Sequence, residues 1–363
     1  YMTGIGCFIV GLLLSIFAGN FSFMMVGRVL QACGNGVVMS AAQVVILTVY
    51  PDEKKGTMMG TYGLATTAAP IIAPTIAGLM IDIFGWKSIF WLALVIMAAS
   101  FVFSGIVFED VLEIQDKKFD FLSFVESILA FGGITLGIGN ISNFGLLSTQ
   151  AGLPLLIGLL VCALFIFRQC RLEVPFLDVK ILRNWNYAVS VISSMVLYLV
   201  MMGSSVLMPL YVQSVMGYSA VVSGLVTLPG SFATAIVSPF AGKLYDKMGI
   251  KKIFVAGSAA LVVSNIGMFF LTMNTPLYIA AGLNVIRNIS IGGLMMPLLT
   301  WGTSNVDAKK VADASSLLTS FRTIAGSIGS AVFVGIMSTV SARSAAVYGE
   351  KALMHGMNIS FFW

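Results

Sequence analysis

The chain has 363 residues, 58% hydrophobic and only 10% charged, with a mean hydropathy of +0.98. Soluble domains carry about 25% charged residues, and a soluble core of this size would need a polar shell that the Lys, Arg, Asp and Glu here are too few to build. The composition excludes a soluble globular chain and predicts an all-α polytopic membrane protein, with the net charge of +5 set by topology rather than by nucleic acid.

Both ends fall in apolar text, YMTGIGCFIVGLLL and GMNISFFW, with no initiator Met and no signal-peptide layout, so the chain reads as a fragment cut inside two helices. Apolar runs of about 20 residues predict spans near 3–18, 22–49, 57–81, 88–108, 121–142, 152–167, 187–215, 219–242, 253–272, 276–301 and 312–341, with a twelfth beginning near 355. The runs lack barrel alternation, so about eleven full spans are expected as helices.

Taken in order, the second span holds GRVLQACGNG, where Arg28 and Gln31 interrupt apolar text and share a helix face with Gly34 beside them. Arg28 either faces a cavity or a partner, or snorkels to the outer headgroups. A nucleotide loop does not fit, because no strand precedes the glycines. The third span carries Pro70, Pro74 and Gly78, and near its outer end Asp82, which can simply pair with Lys87. The connection FEDVLEIQDKKFD and, later, RQCRLEVPFLDVKILRN read as surface linkers that flank the spans containing Glu126. Glu126 lies about 9 Å inside its helix, at about 1.5 Å per residue from Asp120; it is an interfacial group or, in the second reading, a proton carrier, as is Asp82.

GKLYDKMGIKK then joins the eighth and ninth spans, its glycines suited to a tight turn and Asp246 to capping or pairing with a facing helix end. Arg287 sits in the tenth span between Asn284 and Asn288, and Arg322 in the eleventh beside Ser320 and Thr323. Tyr62, Tyr198, Tyr211 and Trp301 are candidates for a substrate wall, or are packing and lipid-facing residues. Cys7, Cys33, Cys162 and Cys170 match neither a disulfide framework nor a zinc site. With one histidine, His355, no metal centre and no cofactor is expected.

Alternating the connections between the two sides puts fourteen Lys and Arg on one side and Lys87, Arg343 and Lys351 on the other, leaving Arg28, Arg287 and Arg322 inside spans. The positive-inside rule makes the richer side cytoplasmic, in a cell (plasma or inner) membrane. YPDEKKGTMMG and NVDAKKVADAS both contain Asp-x-Lys-Lys and both follow an intramembrane arginine. Eight spans separate them, so they have one orientation, as in parallel repeats of two-lobed transporters.

These motifs resemble the major facilitator superfamily, specifically the proton-coupled drug exporters of the EmrB/QacA type with fourteen spans. GKLYDKMGIKK is similar to the superfamily loop G-x-L-x-D-x-x-G-x-(R/K)-(R/K), which implies a gating role for Gly242, Asp246, Gly249, Lys251 and Lys252. GRVLQACGNG resembles the R-x-x-Q-G-x-G helix, with Ala32 in place of a glycine, and implies proton-coupling roles for Arg28, Gln31 and Gly34. TAAPIIAPTIAGLMIDIFGWKSIFW resembles the antiporter helix through Pro74, Gly78, Trp86, Lys87 and Phe90, while LTSFRTIAGSIG resembles the helix that carries Arg322.

The resemblance implies a two-lobed helical bundle: 1–108 in the N-terminal lobe, 109–184 as two inserted central helices with cytoplasmic linkers, and 185–363 as the C-terminal lobe with its last helix truncated. It also implies that the first two helices, with a membrane-embedded aspartate, lie outside this chain. The expected function is export of amphipathic drugs or toxic compounds in exchange for protons by alternating access. Its partners are a small amphipathic substrate, protons and the lipid bilayer, not nucleic acid. Import of a polar nutrient is the alternative within transport. A membrane-embedded enzyme or a non-transporting receptor fits less well, the first for want of clustered His, Asp or Cys and the second for want of any need for the repeat.

Overall fold

Long apolar runs leave the backbone only one way to satisfy its N–H and C=O groups in lipid, and the chain folds accordingly into α-helices. The computed structural model describes residues 1–107, 120–145, 147–173, 175–307 and 310–362; the side chains of 52, 67–79, 81, 82, 142, 143, 220, 221 and 350 also lie outside that description. The helices are α1 (Met2–Ile16), α2 (Phe21–Val49), α3 (Asp52–Phe84), α4 (Ser88–Val107), α5 (Phe121–Phe144), α6 (Thr149–Arg171), α7 (Trp185–Leu210), α8 (Ala220–Met248), α9 (Ile250–Phe269), α10 (Leu277–Ser304), α11 (Val311–Tyr348) and α12 (Ala352–Phe362). Every predicted span coincides with one of α1–α11, and the twelfth begins α12. Among the described residues nine helices are long and apolar enough to cross a bilayer, and α1 is apolar but shorter.

Several starts are written by single polar residues. Asn20, Asp120, Ser148, Asn184 and Ser219 each accept a hydrogen bond from a backbone N–H of the helix they precede, satisfying donors that the helix leaves orphaned.

The helices group into two units. One comprises residues 1–50 and 68–115. In it α1 packs on α2 and α4. Gly4 and Gly11 of α1 have the same seven-residue spacing as Gly27 and Gly34 of α2. A Cβ on Gly34 would meet the Gly4 carbonyl oxygen at 2.5 Å, and one on Gly11 the Gly27 carbonyl oxygen at 2.6 Å. The glycines therefore let the two backbones touch, and Leu12, Ile16 and Phe90 fill the space beside them.

The other unit comprises residues 51–67 and 116–363. Here α10 packs on α7, α8 and α9, while α11 packs on α7 and α12. Leu207, Met208, Tyr211, Met268, Phe333 and Met357 form its main apolar cluster. A π-turn at Tyr211–Val215 follows Pro209 at the end of α7, a local break of the kind a helical proline produces.

Helices α5 and α6, expected as an inserted pair, pack against each other and group by contact with this second unit, where α5 also meets α11. Asp120 ties the pair together. Its carboxylate accepts from the Ser123 hydroxyl (2.7 Å) and from Arg168 Nη2 (2.9 and 3.1 Å). The Ser123 hydroxyl and the Arg168 guanidinium lower its pKa from 3.8 to about 2. Because the folded pKa is depressed, the contribution is complete above the ordinary carboxylate range and is lost as pH falls from about 4 toward 2. Asp120→Ala is expected to cost about 1 kcal/mol in thermal unfolding at neutral pH, the usual loss for an N-cap, with a smaller difference near pH 3.

Candidate functional site

An ionisable residue inside a bilayer is costly to keep there and so is a candidate for function. Arg322 is 4% exposed on α11, and its guanidinium lies over the Tyr198 ring of α7, 5.1 Å from the centroid. Gly326, one turn further along α11, makes this possible: a Cβ there would meet Tyr198 Cδ1 at 2.6 Å. Tyr62 of α3 is also within electrostatic reach of Arg322. Among the described residues Arg322 Nε and Nη1 have no hydrogen-bond partner. Two residues chosen from sequence, Tyr198 and Arg322, thus meet face to charge.

Arg287 is 3% exposed on α10. It donates through Nη2 to Asn284 Oδ1 at 2.7 Å, and its Nη1 lies 3.3 Å from Met268 Sδ. Asn288 donates to the Asn284 carbonyl oxygen (2.8 Å) and amide oxygen (3.1 Å), and itself accepts from the Thr234 hydroxyl (3.1 Å). Gly230 of α8 leaves room for both amides, since a Cβ there would meet Asn288 Nδ2 at 2.6 Å. This network borders a cavity of about 240 Å³ between α7, α8 and α10. Among the described residues no carboxylate forms an ion pair with Arg287 or Arg322.

Arg28 differs from these two. It is exposed on α2, donating to Gln31 Oε1 at 3.2 Å and lying 5.0 Å over the Phe90 ring. Gln31 is the buried member, donating to the Gly11 carbonyl oxygen (3.0 Å) and the Ser15 hydroxyl (2.8 Å) of α1. Gly34 serves the backbone contact with α1 described above.

The GKLYDKMGIKK segment departs from a simple connecting loop. Residues through Met248 continue α8, and the turn is Gly249 alone, at φ +70°, before α9 begins at Ile250. Only that glycine needs left-handed freedom. Gly242 is helical and serves close approach instead: a Cβ there would collide with the Gly56 carbonyl group and press on Gly60 Cα of α3. Asp246 then reaches the start of α3, accepting from Gly56 N–H (2.9 Å), Thr57 N–H (2.8 Å) and the Thr57 hydroxyl (2.6 Å). A carboxylate in the last turn of α8 opposes that helix's dipole but suits the positive end of α3. Lys251 and Lys252 are exposed.

Other expected positions resolve differently. Tyr211 is fully buried in the apolar cluster, and its hydroxyl donates to the Thr272 carbonyl oxygen at 3.0 Å. Trp301 is half-buried, and no described cavity includes it. Glu126 lies 3.9 Å from Arg168 in the Asp120 cluster, which favours the interfacial reading over proton carriage. Pro70, Pro74, Gly78 and Asp82 belong to the α3 backbone, but their side chains lie outside the described residues. Sequence reading overlooked Thr57 and Gly230 as site residues; the GxxxG spacing of Gly56 and Gly60 was a readable sign of helix approach.

Comparison with known proteins agrees with this architecture. The lincomycin resistance protein LmrB of Listeria monocytogenes is 30% identical over 349 residues, covering 95% of this chain and 72% of that protein. The riboflavin transporter RibZ of Clostridioides difficile is 28% identical over 358 residues, covering 98% and 76%. The crystal structure of the human organic anion transporter MFSD10 shares the fold, with a TM-score of 0.66 at 12% identity over 99% of this chain and 74% of that one. Residues 1–330 match the profile of the Major Facilitator Superfamily, and the chain belongs to that family of membrane transporters.

Proposed function

We propose that this chain exports amphipathic small molecules in exchange for protons, rocking between states that open a midplane cavity to either side of a cell membrane. The observation that carries the reading is the Asp246 clamp on the start of α3. Three hydrogen bonds to one carboxylate hold two helices whose glycines Gly56, Gly60 and Gly242 bring the backbones close, with the Tyr245 ring and the Ser238 hydroxyl of α8 also against α3. Such a contact is strong when made and rests largely on close backbone approach and a few hydrogen bonds, which suits a gate. The basic segments at 51–55 and 247–252 would form the cytoplasmic face, 1–108 and 185–363 would belong to the two moving lobes, and 109–184 would be the inserted pair of helices.

Arg322 with Tyr198 and Tyr62 would line the transport path, where an aromatic-lined charge serves amphipathic ligands. Arg28 and Gln31 would tune proton affinity through proximity of charge. Pro70, Pro74 and Gly78 would shape the antiporter helix. The likeness to a lincomycin resistance protein supports export; the likeness to a riboflavin transporter supports a second reading, movement of a polar nutrient.

Everted membrane vesicles containing the full chain test both. An amphipathic dye is expected to accumulate when a pH gradient is imposed and to leak when a protonophore collapses it. Dye movement indifferent to the gradient would sink proton exchange, and gradient-driven movement of labelled riboflavin with no dye transport would favour the second reading.

A further inference from the structure

The cavity beside Arg287 has more donors than acceptors. Its wall comes from Met201, Ser204, Ser205, Met208 and Pro209 of α7, Thr227 and Ser231 of α8, and Asn284, Arg287, Asn288 and Ile291 of α10. Arg287 Nε and the Ser204 hydroxyl are both buried without a hydrogen-bond partner, and both residues line the space. The other polar side chains are engaged with protein: Thr227 and Ser231 donate to carbonyl groups of their own helix, and Asn284 Oδ1 is occupied by Arg287 and Asn288. One full positive charge therefore borders the cavity with no described carboxylate against it. A buried guanidinium stays protonated at neutral pH. Neutral acceptors such as Asn284 and Met268 bond it without cancelling its charge, so a bound anion gains what the protein does not provide.

Size and lining narrow the ligand. About 240 Å³ is below the ~300–1,000 Å³ of sites that enclose a whole drug-sized molecule, so the space takes one end of a ligand. Met201, Met208, Pro209 and Ile291 give that end an apolar floor. Methionine adapts its shape to rings and chains.

We propose that this cavity is a subsite for the carboxylate end of an amphipathic organic acid, the carboxylate lying against Arg287 Nε and the Ser204 hydroxyl with its apolar body on the methionines. The subsite rests on the reading of the chain as a transporter and assigns it a class of substrate: molecules that carry a carboxylate on a small apolar or aromatic group.

The test titrates the purified full chain with benzoate, benzamide and benzylammonium, which present an anionic, a neutral and a cationic group on one ring. Benzoate is expected to bind at least about tenfold more tightly than either, the margin of one charge-assisted hydrogen bond. Arg287→Gln is expected to lose that margin, and Ser204→Ala part of it. Equal binding of benzamide, preference for benzylammonium, or no benzoate binding to the wild-type protein would overturn the subsite; should Arg287→Gln fail to fold, the wild-type ranking decides. Gradient-driven dye movement is scored separately in proteoliposomes of the same protein. Dye transport without a benzoate preference would keep the export reading and remove the subsite, whereas a benzoate preference without gradient-driven movement would keep the subsite and remove the export reading.

Discussion

Gly242→Ala is expected to destabilise the full chain by about 1–3 kcal/mol, the usual cost of overpacking a close contact, and to reduce transport at least tenfold. The methyl group would collide with the Gly56 carbonyl group, which belongs to the α3 backbone and cannot swing aside as a flexible side chain could. Relief requires α3 and α8 to separate, and separation lengthens the three hydrogen bonds to Asp246. Asp246→Asn attacks the same contact from the other end, because an amide has one acceptor atom where the carboxylate has two and turns an N–H₂ toward a backbone donor. Charge-assisted hydrogen bonds contribute about 1.5–3 kcal/mol. The two substitutions are therefore expected to be less than additive in thermal unfolding, since either one already loosens the clamp. Additive losses would show that Gly242 and Asp246 act independently and would remove the clamp as a unit.

This contact also shows what was legible in the residues alone. The spans were readable because lipid gives the backbone no other partner, so a run of about 20 apolar residues has one structural outcome. The ends of α8 and α9 were not, because Lys and Asp are as compatible with an extended helix as with a loop; the reading of GKLYDKMGIKK as a connection underestimated how far α8 runs before Gly249 turns it. Gly242 was recognised by its motif, but its role came out as approach to α3, which depends on a residue more than 180 positions away.

The burial of Tyr211 in the apolar cluster was hidden for a related reason. Burial is a property of neighbours, and nothing in its own helix distinguishes it from Tyr198, which does face a charge. The arginines were the reverse case. An ionisable residue within apolar text announces itself, and Arg287 and Arg322 both proved buried, while Arg28, in an equally apolar span, is exposed with Gln31 as the buried partner.

Arg322→Met is expected to raise stability while abolishing most transport. The guanidinium is 4% exposed, two of its nitrogens lack hydrogen-bond partners among the described residues, and its charge lies over the face of Tyr198. A desolvated cation–π contact returns about 2 kcal/mol or somewhat more, less than the several kcal/mol that burying a charge costs. Methionine has a similar length, fills the same space and needs no partner, so thermal unfolding should shift upward by the equivalent of about 1–4 kcal/mol, as for other buried ionic groups replaced by apolar ones. Residues that lower stability persist where function needs them. Gradient-driven transport by the same variant should therefore fall at least tenfold. Arg322→Lys keeps the charge and loses the flat stacking surface, and is expected to transport at an intermediate rate. A lower melting temperature for Arg322→Met would identify Arg322 as a structural residue whose charge is satisfied in the fold, and normal transport by a stabilised variant would take it out of the transport path altogether.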